Sequence, residues 1–87
     1  MTPSNGTYIS TQTTTVVKSG AGILRGIALT ETAAGTITVY DNTSAAGTIV
    51  AVLKASIAEG YFPLNIRMST GITVVTAAAS KATVIWE

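Results

Sequence analysis

The chain reads as a small all-β domain, an antiparallel β-sandwich or barrel of jelly-roll or immunoglobulin size, with about seven strands and little or no helix. Short β-branched runs recur at roughly ten-residue spacing, each bounded by turn formers, which is the pattern of a sandwich or small barrel. One local solution, glycine at a turn followed by a β-branched strand, is used three times: Gly35–Val39 (GTITV), Gly47–Val52 (GTIVAV) and Gly71–Val75 (GITVV). The connections are short, which favours antiparallel pairing.

Taken in order, Met1–Thr7 (MTPSNGT) carries Pro, Asn and Gly and reads as a loose arm. The expected division is a flexible arm over 1–10 and a single β domain over 11–87. Tyr8–Lys18 is Thr-rich and extended, its latter half the expected first strand. Ser19–Gly22 is a turn. Ile23–Thr30 (ILRGIALT) is a strand apolar on both faces except at Arg25, and Gly26 within it predicts a bulge or a close backbone approach. Glu31–Gly35 is a link.

Thr36–Tyr40 alternates, so Ile37 and Val39 share a face. Asp41–Gly47 is a connection rich in turn formers, and Thr48–Leu53 is the strand that returns. Ala55–Gly60 is a link with room for one helical turn. In Tyr61–Arg67, Phe62, Leu64 and Ile66 face one way and Tyr61, Asn65 and Arg67 the other. Pro63 has no N–H to give a ladder, so this strand needs a free side or a bulge there. Met68–Gly71 is a tight turn and Ile72–Thr76 a strand. Ala77–Lys81 has helical propensity, but lies between two β-branched runs and is expected to be a loop. Ala82–Trp86 closes the chain.

Composition restricts function. The 87 residues include no Cys and no His, which removes disulfides and thiolate or imidazole metal sites. A net charge of +1 offers no electrostatic case for nucleic acid or an anionic membrane. No run approaches the ~18 apolar residues of a spanning helix. The N-terminus lacks the basic and apolar regions of a signal peptide, so a cytoplasmic site of synthesis and assembly is expected. Charged residues make up 10% of the chain, against about 25% in an ordinary domain. Hydrophobic residues reach 47% and mean hydropathy is +0.49. Thr, the commonest residue, supplies much of the remaining polarity. So small a domain has too much surface to hide that much apolar matter inside, so cover by neighbouring protein is expected. The alternative is a neutral, Thr-coated monomer.

Candidate chemistry is sparse. With no His, a nucleophilic triad lacks its usual base, and no Ser–Lys pair forms a recognisable motif. The acids are Glu31, Asp41, Glu59 and Glu87, too few and too scattered to define a glycosidase pair. No enzyme activity, cofactor or metal is expected. Asp41–Ser44 offers oxygens but one carboxylate, and reads as an Asx-type turn in which Asp41 caps backbone amides rather than as a calcium site. Arg25 and Arg67 lie within strands, as solvated edge residues or as partners of a carboxylate on a neighbouring subunit. Phe62 and Trp86 read as core. Tyr8, Tyr40 and Tyr61 are the remaining aromatics, available for subunit contacts or for stacking on a saccharide.

The series ILRGIALT (23–30), GTITVYDNTSAAGTIVAVL (35–53), FPLNI (62–66), MSTGITVVTA (68–77) and ATVIW (82–86) resembles the small β-rich structural proteins of tailed-bacteriophage virions. The resemblance covers about Gly22–Trp86, and its most specific parts are Val39–Ser44 and Thr70–Val75. It implies a capsid decoration, or cement, protein on the outside of the shell. The implied partners are the major capsid protein and further copies of the chain, with a trimer favoured. Arg25, Arg67, Tyr8, Tyr40 and Tyr61 are then the candidate inter-subunit contacts, and the arm Met1–Ser10 is expected to order on docking. A tail, neck or fibre-attachment protein, or a small carbohydrate-binding module, are the competing readings.

Overall fold

The computed structural model describes residues 5–87 and is all-β. Its strands are β1 (Asn5–Ile9), β2 (Thr13–Ser19), β3 (Gly22–Glu31), β4 (Ile37–Asp41), β5 (Thr48–Leu53), β6 (Gly60–Met68), β7 (Gly71–Thr76) and β8 (Lys81–Trp86). They form two four-stranded sheets: sheet A in the order β1-β8-β3-β6 and sheet B in the order β2-β7-β4-β5. Every pairing is antiparallel.

The order has a simple origin. β1 pairs with β8, β2 with β7, β3 with β6 and β4 with β5, so the chain is one long ribbon folded back at the β4–β5 turn. Successive rungs fall in alternate sheets, and the roll is closed by the β3–β8 and β4–β7 pairs. This is the jelly-roll arrangement of eight strands in two sheets. The hairpin Gly35–Lys54 is the point where the ribbon turns. There Asn42 organises the loop: its side-chain amide donates to the Ala46 carbonyl (2.9 Å) and its oxygen accepts from the Thr43 N–H (2.8 Å). Gly47 ends the loop at φ 85°, a left-handed conformation that glycine takes without a Cβ clash.

Two expectations are corrected. The strand count is eight rather than about seven, and the added strand lies in the expected arm. Asn5–Ile9 pairs in register with Trp86–Ala82, and Ile9 is buried in the core. Asn and Gly are poor strand formers, so Asn5 and Gly6 hide this element; the open edge of β8 and the burial of Ile9 hold it in place. Removing Met1–Ser10 therefore strips an edge strand. Residues 1–4 of the expected arm lie outside the described residues. The Ala55–Gly60 link forms a turn and no helix.

The core lies between the sheets. Sheet A contributes Ile9, Leu24, Ile27, Leu29, Met68, Ala82 and Val84, and sheet B contributes Ile37, Val39, Leu53, Ile72 and Val74. Phe62, Leu64, Ile66 and Trp86 pack against it while only partly buried. Trp86 sits at one end of the sandwich, donating from Nε1 to the Thr7 hydroxyl (3.0 Å) under the Lys18 ammonium, 5.5 Å above its ring.

Thr76 is the buried polar tie of the opposite end. Its hydroxyl donates to the Thr11 carbonyl (2.6 Å) and accepts from the Thr13 N–H (3.0 Å), fastening the start of β2 to β7. Thr76→Val keeps the shape and leaves both backbone groups without this partner. It is expected to cost about 1–3 kcal/mol, with Thr76→Ser close to wild type, as read by thermal denaturation.

Candidate functional site

Strand register assigns every candidate residue to a face. On the outer face of sheet A, Tyr8 lies opposite Thr83, Thr83 opposite Ala28, and Ala28 opposite Tyr61. The two tyrosines thus end one row across the whole sheet, about 14 Å apart at strand spacing, with small side chains between them. Both rings are more than half exposed.

Tyr61 is seated in a specific way. A Cβ on Gly26 would come within 2.6 Å of both the Phe62 carbonyl oxygen and the Tyr61 hydroxyl and 2.8 Å of the Tyr61 ring, so glycine leaves room for the Tyr61 side chain over this strand. Its hydroxyl reaches the Arg25 carbonyl at 3.4 Å. The close backbone approach predicted at Gly26 is made by the Phe62 carbonyl, whose oxygen a Cβ would meet at 2.6 Å, with Tyr61 beside it, and the pairing register also shifts there, between Leu24 and Gly26. Pro63 likewise lies on an edge strand and beside that irregularity. Asn65 takes up the extra residue on β6 with φ 53°, which Asn tolerates better than most side chains.

The arginines are placed differently from one another. Arg25 lies on a central strand, not an edge, and pairs with Glu87 of the same chain; its Nη1 also approaches the Asn65 oxygen at 3.4 Å. Arg67 lies exposed on the edge strand β6 and forms no ion pair among the described residues.

Tyr40 belongs to the other sheet. On the outer face of sheet B two rows run across all four strands: Thr14, Val75, Thr38 and Val52, then Val16, Thr73, Tyr40 and Ile49. Val16, Ile49 and Val52 are each about half exposed, and all three fall in these rows. Thr73 is fully buried between its neighbours and donates to the Asn42 carbonyl at 2.8 Å. None of the chain's ionic residues belongs to either row. Sequence reading grouped the tyrosines and missed this face, because Val16 on the one hand and Ile49 and Val52 on the other come to share it only once β2 and β5 take the two edges of one sheet.

Asp41 does its capping at a distance. Its carboxylate accepts from the N–H groups of Ser69 (3.0 Å), Thr70 (2.8 Å) and Gly71 (3.4 Å), the whole β6–β7 corner. These bonds, Ser69 first and then Thr70, hold its pKa below the ordinary value. Capping was expected, but local loop bonding belongs to Asn42. Glu59 similarly accepts from the Thr32 N–H at 3.1 Å, which with its own N–H lowers its pKa. Among the described residues no three His, Cys, Asp or Glu gather as a metal site. A shallow open depression at one end is lined by Gln12, Thr13, Thr14, Val75, Thr76 and Ala77, with no acid or base among them.

No family model, curated protein or solved structure matches this chain.

Proposed function

We propose that this chain is a non-enzymatic structural protein of a virion, a decoration protein that binds the outside of a bacteriophage shell as an oligomer and stabilises it. The observation that carries this reading is the uncharged outer face of sheet B, which leaves Val16 exposed at one edge and Ile49 and Val52 at the other. A face without charge, carrying exposed aliphatic side chains among threonines, suits burial in a protein interface, whose core is depleted of charged residues. The sequence resemblance to virion β proteins supports the same reading. Jelly rolls occur in capsid proteins, lectins and cupins alike, so the fold leaves the choice to the surface.

The partners in this reading are the major capsid protein and further copies of the chain, with a closed cyclic oligomer, a trimer by preference, set at junctions between coat subunits. Quantitative mass spectrometry of purified particles tests it. Shell-wide copy number is expected; a few copies per particle identify a tail, neck or fibre-attachment protein instead, and absence from particles overturns the reading.

A second reading is favoured by one observation. Tyr61 lies over Gly26 in the same row as Tyr8, with Arg25, Glu87 and Asn65 close by. Such a platform suits stacking against a pyranose ring. A glycan array in which binding is lost with Tyr61→Ala would support it.

A further inference from the structure

We infer that the outer face of sheet B is the surface on which another copy of this same chain packs. This deepens the oligomeric part of the proposed function and depends on it.

Three features support a copy as the occupant of this face. The first is charge. The rows Thr14–Val75–Thr38–Val52 and Val16–Thr73–Tyr40–Ile49 hold no ionic side chain, so two copies meet there without like-charge repulsion or a buried unpaired ion. A partner steered by charge would find nothing on this face to pair with.

The second is the state of the edges. An open β edge is the other usual route to self-association. In this chain β2 shifts register between Val16 and Lys18, β5 between its partners Val39 and Tyr40, and β6 carries Pro63 beside its own shift. Three of the four edges are thus irregular, both edges of sheet B among them, which disfavours edge pairing there and leaves the flat face of sheet B for association; the fourth edge, β1, pairs with β8 in unbroken register.

The third is size. The molecule measures 31 × 29 × 17 Å, the thin dimension fitting two stacked sheets. One broad face then offers on the order of 800 Å², about what each partner contributes to a stable interface. Tyr40 lies within the patch, opposite Ile49 and one row along from the Thr38–Val52 pair, with Val16 two strands away beyond Thr73; an aromatic beside branched side chains is the kind of centre that carries binding energy.

The test is solution mass by light scattering coupled to size exclusion, on the full chain at micromolar concentration. Wild type is expected at a multiple of 8.8 kDa. The double variant Ile49→Lys/Val52→Lys is expected to fall to the mass of one chain. Tyr61→Lys, on the other sheet, is expected to keep the wild-type mass. A wild type of single-chain mass overturns the inference, as does a folded double variant that retains the oligomer or a Tyr61→Lys that loses it.

A thiol measurement decides the matter if the double variant does not fold. The chain has no cysteine, so Thr38→Cys reports on this face alone. Its reaction with a maleimide is expected to slow severalfold on raising protein concentration, whereas that of Ala28→Cys, on the outer face of sheet A, is expected to stay constant. Equal behaviour of the two thiols overturns the inference. Shell binding is read separately. An oligomer broken by the lysines that never binds shells upholds the packing face and removes the virion reading. A single chain that binds shells does the reverse.

Discussion

Leu24→Ala is expected to lower stability by about 3 kcal/mol, within the roughly 2–5 kcal/mol range for emptying a core leucine site. Leu24 is fully buried. It lies on a central strand, opposite Trp86 on one side and Ile66 on the other, so the void opens where two pairs of strands share one residue. A domain of this length has roughly 4–13 kcal/mol in all, and the loss corresponds to a fall in Tm of about 12–24 °C. Urea denaturation at one fixed protein concentration measures it, since association adds apparent stability. A loss under about 1 kcal/mol, the ordinary effect of a point change, would mean that the sheets do not close over Leu24.

Asp41→Ala is expected to lower stability at neutral pH by about 1–2 kcal/mol, the low end for bonds to a charged group because the site is partly open to water. One carboxylate holds three consecutive N–H groups of the β6–β7 corner, where the chain passes from one sheet to the other. The same bonds lower its pKa below 3.8. A folded-state pKa below the unfolded one means that the contribution is complete above the unfolded value and disappears as pH falls through the folded value. Wild type should therefore lose stability on acidification below about pH 4. Asp41→Asn should lose less, retaining the slope that Glu59, shifted in the same direction, still supplies. Urea midpoints across this range give the comparison. Parallel losses in variant and wild type would show that the corner is not tied by Asp41.

Local chemistry carried a large part of the fold. Pro63 demanded an edge or an irregularity and received both, because a residue without an N–H cannot complete a central ladder. Gly26 announced a close backbone approach that the Phe62 carbonyl makes, because a Cβ there would strike its oxygen as well as the Tyr61 side chain. The alternation of Phe62, Leu64 and Ile66 against Tyr61, Asn65 and Arg67 is the alternation of half-buried and exposed side chains along β6. Turn chemistry misled in one respect. Ser19–Gly22 and Met68–Gly71 have the composition of hairpin turns, yet both carry the chain from one sheet to the other. Asn5–Ile9 escaped notice since nothing in its composition outweighs Asn and Gly; its strand character comes from β8, far along the chain.

The candidate surface was less legible. Scarcity of charge indicated that apolar residues must remain outside, but not which ones would gather. Tyr8 and Tyr61, distant in sequence, share a row of sheet A, whereas Tyr40 faces outward from sheet B.

By itself, the sequence determined the all-β class, the position of most strands and turns, and the excess of apolar over ionic groups. Those follow from alternation, backbone restriction and composition, all of which act within a few residues. Only the tertiary structure decided the order β1-β8-β3-β6 over β2-β7-β4-β5, and with it the neighbours on each outer face. Pairing joins segments as far apart as Asn5 and Trp86, and the choice among β-branched strands of similar character is made by how two sheets bury one common core.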